Sequence, residues 1–327
     1  MQYTPVRPRE KTKKLDPRVY ADIDELVRLQ FKAQGFSFLP RQPVHSILFG
    51  RHASRLRGRG LNFEELRRYV PGDDIRNVDW KATARAGEPN VRVFTEEKDR
   101  PMWLVVNQTQ SMFFGSDERM KSVSAAEVVA LAAWRGLANG DRVGALVYND
   151  TDIVCIKPQR SRGQVMRLLA AVVEKNHALG ADAPQSDNIS GGHIINDVLR
   201  QLLPLAPHDS LICMVGDGHG VDDETQELVT QLTAHNDLIF AMIYDPMEKE
   251  LPRAGTLTIG DGRRRLAFNS DSRALQKDYA EDFEQRLELL RSISRRHSIP
   301  LLPISTAEDV AEQVRRLLGN VGVASRV

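Results

Sequence analysis

Three side chains of complementary chemistry stand next to apolar runs: the hydroxyl of Ser111, the imidazole of His193 and the carboxylate of Asp217. Gathered on one rim, they could serve as nucleophile, general base and orienting acid in acyl transfer. Ser111 lacks the flanking glycines of a nucleophile elbow, which weighs against a hydrolase. Gly216-Asp217-Gly218-His219-Gly220 has the composition of a nucleotide-binding turn, but the third glycine is misplaced and the preceding strand is the wrong one. No Gly-Lys-Ser/Thr phosphate loop occurs, so any ATPase activity must belong to a partner.

The elements that must position these groups centre on Met102-Trp103-Leu104-Val105-Val106, followed by Asn107-Gln108-Thr109-Gln110-Ser111. A continuous apolar run ended by polar residues predicts a strand buried on both faces. Ser122 to Leu137 follows as a helix, with Val123, Ala126, Ala130, Ala133 and Leu137 as its stripe and Ser124 and Glu127 spaced as a capping box. Strand, hydroxyl-bearing loop and helix in that order place the loop at the carboxyl edge of a parallel sheet, where open α/β sheets bind ligands.

Downstream, strands and helices alternate. Asp141 to Tyr148 and Ile153 to Lys157 read as a hairpin, and helical stripes follow over Val165 to Val173 and Ile194 to Leu202. Leu211 to Val215 and Leu238 to Tyr244 are buried strands around a helix that carries Leu228 and Leu232. Leu257 to Ile259 and Arg265 to Phe268 make a small hairpin outside the main sheet, and Tyr279 to Leu290 lies on a long helix. Ile299 to Ile304 is a last strand, placed at an edge because Pro300 and Pro303 cannot donate to a ladder, and Val310 to Leu318 closes the chain. The fold class is α/β: a doubly wound, mostly parallel sheet flanked by helices, with an N-terminal extension and a small extra hairpin.

The chain has 327 residues and a net charge of +1, which exerts no bulk pull on nucleic acid or membranes. Arg51, Arg55, Arg57, Arg59, Arg67 and Arg68 are broken by Glu64 and Glu65 and have few aromatic neighbours, so an ion-paired surface is expected there instead of a nucleic-acid site. Cys155 and Cys213, the two cysteines, sit in apolar runs and read as buried reduced thiols. No apolar stretch is long enough to span a membrane and the basic start is not a secretory signal, so a cytoplasmic protein is expected. Met1 to Leu15 reads as a mobile basic tail, and 16–100 as a helix (Asp16 to Gln34) and a charged segment that pack on the core of 101–320.

The charged segment is the most distinctive stretch. It runs Tyr69-x-Pro71-Gly72-Asp73-Asp74-x-Arg76-x-x-Asp79-Trp80-x-x-Thr83-Ala84-Arg85, with a strand at Val91 to Phe94 beyond it. Pro71-Gly72 is a turn, and the interleaved acids and bases read either as an ion-pair network that orders a loop or as a partner-docking face. This run resembles the signature of the bacterial domain-of-unknown-function family 58. Gly140-Asp141-Arg142-Val143-Gly144, Asp245-Pro246-x-Glu248-x-Glu250-Leu251-Pro252, Gly260-Asp261-Gly262 and Pro300-Leu301-Leu302-Pro303-Ile304 fit as well, so the resemblance covers about residues 40 to 320.

The resemblance implies a von Willebrand factor A-like domain whose genes lie beside those of MoxR-type AAA+ ATPases. It implies a non-enzymatic, chaperone-like adaptor acting with such an ATPase and a client protein. Domains of this kind carry Asp-x-Ser-x-Ser after the first strand, completed by a threonine and an aspartate into a Mg²⁺ site. Here the matching positions are Asn107, Thr109, Ser111, His193 and Asp217. Asn107 supplies a neutral oxygen where Mg²⁺ favours a carboxylate, and His193 replaces the threonine. No cofactor is therefore expected, with Mg²⁺ at most weakly bound. The pocket would be filled by hydrogen bonds or kept in shape for a protein partner. A Mg²⁺-dependent adhesion-type domain and a Ser-His-Asp hydrolase are the alternatives.

Overall fold

A computed structural model describes residues 15–36, 61–70, 73, 75–96, 100–180, 192–252, 254–260 and 265–319. The chain divides into two compact units: Leu48–Asp99 forms one, and Met1–Ile47 with Arg100–Val327 forms the other. The expected 16–100 segment is thereby split, its helix grouping with the sheet unit. The basic tail expected over Met1 to Leu15 falls outside the described residues except for Leu15.

The N-terminal helix is shorter than its stripe predicts. After a turn at Asp16, α1 spans Ile23–Arg28 under an Asp22 cap and tightens into a single 3₁₀ turn at Leu29–Phe31. In the small unit, β1 (Leu61–Arg68) and β2 (Asn90–Glu96) pair antiparallel with a bulge at Phe63/Glu65, and α2 (Trp80–Ala86) lies between them in the chain. β1 was not expected: Asn-Phe-Glu-Glu-Leu-Arg-Arg lacks period-two alternation.

The large unit runs β3 (Pro101–Asn107), α3 (Lys121–Ala138), β4 (Arg142–Tyr148), β5 (Ile153–Gln159), α4 (Arg162–His177), α5 (Gly192–Leu202) and β6 (Leu211–Gly216). It continues through α6 (Asp223–Thr233), β7 (Asp237–Tyr244), α7 (Pro246–Lys249), β8 (Thr256–Gly260), β9 (Arg265–Asn269), α8 (Arg273–His297), β10 (Leu301–Ser305) and α9 (Val310–Leu318). The six-stranded sheet has the order β10-β7-β6-β3-β4-β5, parallel throughout except for β5. β8 and β9 form a separate antiparallel pair, as expected. The chain leaves β3 toward β4 on one side and returns to build β6, β7 and β10 on the other. The order therefore reverses between β3 and β6, where Asn107 and Asp217 sit.

Strand periodicity explains why β3 is apolar throughout. Met102, Leu104 and Val106 face a core shared with α1, α3, α4 and α9, while Trp103 and Val105 face a second core with α5, α6 and α8. α3 is enclosed on nearly all sides, and its alanines let neighbouring elements approach closely. The capping box expected at Ser124 and Glu127 is absent. The helix begins earlier, at Lys121 after Met120; Ser124 is interior and buried, and Glu127 pairs with Arg119 at 2.6 Å. Gly144 is dictated by close approach, since a Cβ there would lie 2.7 Å from the Ile156 carbonyl oxygen across a β-bulge. Trp103 and Trp134 are core residues, and the Trp134 indole N–H donates to the Leu26 carbonyl at 3.0 Å. Cys213 is buried, its thiol pushed up to about 12 by burial, whereas Cys155 is only half-buried; both are free thiols. Among the described residues no helix is long and apolar enough to cross a membrane.

A buried amide relay joins the N-terminal segment to the sheet edge. The Asn176 carboxamide accepts from the Ala21 N–H at 2.7 Å and donates to Gln108 at 3.1 Å, and Gln108 donates to the Ser122 carbonyl at 3.0 Å. Asn176→Ala strands two buried polar groups, so urea unfolding should show a loss of about 2 kcal/mol with an unchanged m-value.

Candidate functional site

Asn107 ends β3, and its side-chain oxygen turns back to accept the Thr109 N–H at 2.8 Å. This Asx turn shapes the loop that follows. The Gln108 N–H donates to the Tyr148 carbonyl at 2.8 Å, anchoring the loop to β4, and its fully buried side chain joins the amide relay. The Gln110 N–H donates to Asp150 at 2.7 Å, and its carboxamide donates to the Gly180 carbonyl at 3.0 Å. The loop is therefore held from several sides. Thr109 is buried, its hydroxyl oxygen 3.0 Å from that of exposed Ser111.

Asp217 follows β6 and is almost fully buried. The β3 and β6 ends lie close: a Cβ on Gly216 would stand 3.1 Å from that of Asn107. One Asp217 oxygen accepts the His219 N–H at 3.2 Å, and the Ser111 hydroxyl also bonds the carboxylate. The other oxygen lies 3.1 Å from the Lys121 ammonium. Lys121 is 1% exposed, and its second carboxylate partner is Glu248 on α7, at 2.9 Å. The remaining Glu248 oxygen accepts the Asp245 N–H at 3.0 Å, closing a capping box with Asp245. Asp245 in turn takes hydrogen bonds from Ser116 and Thr306. The Arg286 guanidinium reaches Glu248 at 3.5 Å and contacts the His219 ring, which stands 4.0 Å from Asp217.

Electrostatics follow from this arrangement. Burial alone would raise the Asp217 carboxyl, but the Lys121 ammonium, His219 and the Ser111 hydroxyl overcome it and hold the group at about 2. His219 is shifted down, by burial first and then by Arg286 and Lys121, against the pull of Asp217 and Glu248.

The structure thus brings Asn107, Thr109, Ser111 and Asp217 together. His193 lies in the first turn of α5, and its side chain is outside the described residues, as are Ser190 and Gly191. Sequence reading missed Lys121 and Glu248. Glu248 belongs to the Asp245-Pro246-x-Glu248 run, whose Asx-Pro start signals a short capped helix. Lys121 offered one signal, a cation in the first turn of a helix, where the macrodipole disfavours it.

In the small unit, Asp73 takes a bidentate pair from Arg67 at 2.8 and 2.9 Å and also the Val70 N–H, and it is held below the ordinary carboxylate value mainly by Arg67. Asp79 caps α2, and the Thr83 hydroxyl accepts the Asn90 N–H at 3.0 Å. The Tyr69 N–H donates to the Pro89 carbonyl at 2.8 Å. Trp80 is 68% exposed and Ile75 64%, with Arg76 and Arg85 also at the surface. Pro71, Gly72 and Asp74 lie outside the described residues. Asp73, Asp79 and Thr83 therefore order the segment, while Trp80 is presented to solvent.

Residues 65–289, more than half of the chain, match the family model described as "Protein of unknown function DUF58". The chain belongs to the DUF58 family. This DUF58 protein is 26% identical over 304 residues to "Uncharacterized protein Rv1480" of Mycobacterium tuberculosis and equally to "Uncharacterized protein Mb1516" of Mycobacterium bovis, covering 91% of each chain. Among solved structures it is similar to the conserved hypothetical protein BatB from Bacteroides thetaiotaomicron, at 11% identity and a TM-score of 0.40, covering 67% of this chain and 98% of that one. It is also similar to an aerotolerance-related membrane protein from Bacteroides fragilis, at 10% identity and a TM-score of 0.37, over 67% and 96% of the two chains.

The buried ion pairs make a pH prediction. The Asp217 carboxyl lies at about 2 against an ordinary 3.8, so its stabilisation is complete above 3.8 and is lost as pH falls through 2. That loss should be about 2 kcal/mol. Lys121→Met leaves Asp217 buried without its ammonium and Glu248 with Arg286 alone, and should cost about 3–5 kcal/mol at neutral pH. The deficit should narrow on acidification as the stranded carboxylates protonate, which urea unfolding of both proteins between pH ~7 and ~4 would resolve.

Proposed function

We propose that this DUF58 protein is a non-enzymatic interaction module that works with a MoxR-type AAA+ ATPase on client proteins. One observation carries the reading: exposed Ser111 stands on a rigid loop at the strand-order reversal, bonded to Thr109 and Asp217 and, among the described residues, to no imidazole. A hydrolase would need Ser111 on an imidazole and Asp217 free to orient that imidazole. Asp217 is instead committed to Lys121, to the His219 N–H and to Ser111 itself. What remains is a fixed, exposed hydroxyl-bearing surface, which suits recognition.

The ATPase partner comes from the family resemblance, and the missing Gly-Lys-Ser/Thr loop agrees with ATP hydrolysis residing elsewhere. Trp80 and Ile75 supply a second contact, since large exposed aromatics act as anchors in interfaces. Free Cys155 and Cys213 fit a reducing cytoplasm, and a near-neutral chain gives no reason to invoke nucleic acid.

The test is binding of the full-length protein to a purified MoxR-type ATPase from the same genome, with ATP and Mg²⁺, by biolayer interferometry. Ser111→Arg and Trp80→Ala should each weaken binding by about 2 kcal/mol, or roughly 30-fold, with Trp80→Ala leaving the unfolding midpoint unchanged and circular dichroism verifying that Ser111→Arg is folded. Unaltered affinity in both variants, or ester hydrolysis abolished by Ser111→Ala but not by Ser122→Ala, would overturn the reading.

A further inference from the structure

The rim of an A-like domain is expected to hold a divalent ion on loop hydroxyls and an aspartate. Among the described residues the donors present here do not fit one. The Asn107 oxygen is turned onto the Thr109 N–H, and Asp217 is taken by Lys121, the His219 N–H and Ser111. Both Glu248 oxygens are engaged, one by Lys121 and one by the Asp245 N–H. Among the described residues no three His, Cys, Asp or Glu side chains converge so as to hold a metal ion.

We infer that Lys121 is a resident cation: its ammonium does permanently what a bound metal does reversibly elsewhere, and contacts made at this rim are metal-independent. Three observations carry the inference. The ammonium is enclosed, 1% exposed, with Phe114 on one side at 5.9 Å from its ring centroid. It pairs with Asp217, the carboxylate that an ion beneath the Thr109–Ser111 loop would have to use, and with Glu248 beside it. Lys121 is also the first residue of α3, where a cation opposes the helix dipole, so the site tolerates it only because Asp217 and Glu248 face it together. Charge balance points the same way. Lys121 and Arg286 offset Asp217 and Glu248, and a dication placed against Asp217 would meet the ammonium at close range.

The inference assigns the block to Lys121 and not to the missing carboxylate at Asn107, and variants separate the two. Restoring the carboxylate alone, Asn107→Asp, should leave the protein unable to bind Mn²⁺ or Mg²⁺. Combining it with Lys121→Ala, which frees Asp217 and Glu248, should create a single Mn²⁺ site of micromolar affinity. Mn²⁺ paramagnetic resonance and calorimetry on the full chain read the binding, and circular dichroism verifies folding. A rise in the thermal midpoint of the double variant on adding Mn²⁺ would support the inference.

Stoichiometric micromolar Mn²⁺ binding by the wild type, abolished by Asp217→Asn, would overturn it. So would a gain of metal in Asn107→Asp alone, or a folded double variant that binds no better than the wild type. If the double variant does not fold, the wild type and Asn107→Asp decide: silence in both supports the inference and binding in either refutes it. No partner enters this test, so it can fail while the interaction reading stands.

Discussion

A single ammonium group sealed beneath the carboxyl edge of the sheet is the interaction that organises this rim. Lys121 comes from the start of α3, Asp217 from the end of β6 and Glu248 from α7 beyond β7. The contact therefore ties together three chain segments far apart in sequence, at the place where strand order reverses. A buried ion pair of this kind adds modestly to stability when intact, because both charges have been taken out of water. Its removal is expensive, since the abandoned charge stays buried. Such a contact fixes geometry more firmly than it contributes net energy. The Asx turn of Asn107 and the Gln108 anchor complete the same rigid frame from the β3 side.

The fold was largely legible in the sequence because its signals are local. Five apolar residues from Met102 to Val106 gave the central strand, and its two-sided burial on Met102/Leu104/Val106 and Trp103/Val105 is what such a run requires. Pro303 placed β10 at an edge, and the β4–β5 hairpin and the β8–β9 pair followed from strand runs separated by turns. The failures lie where tertiary context overrides local pattern. Ser124 and Glu127 have the spacing of a cap, yet burial of α3 among its neighbours carries the helix start back to Lys121. β1 carries a helix-like Glu-Glu-Leu-Arg-Arg run and becomes a strand only because β2 pairs with it.

The site was legible in part. The family pattern supplied the hydroxyl loop and Asp217, and geometry brings those together. The pairing of Lys121 with Asp217 and Glu248 was missed for a physical reason: a lysine at a helix start reads as solvent-exposed, and its partners lie 96 and 127 positions away. Asn176 and Gln108 were missed likewise, because a buried amide is recognised only from what faces it. In the small unit, the acids read as possible ion-pair partners divide their work. Asp73 makes a bidentate pair while Asp79 caps a helix, and the two tasks use the same carboxylate chemistry for different backbone needs.

The two outermost strands of the large sheet share a feature whose consequence lies outside any binding site. β5 carries Pro158 and β10 carries Pro303. A ring nitrogen has no hydrogen to offer, so each border presents a gap in the row of donors that a stray strand from another molecule would need. The sheet is thus discouraged from growing sideways into fibrils, and a crowded solution of this protein should resist cross-β assembly as long as both prolines are kept.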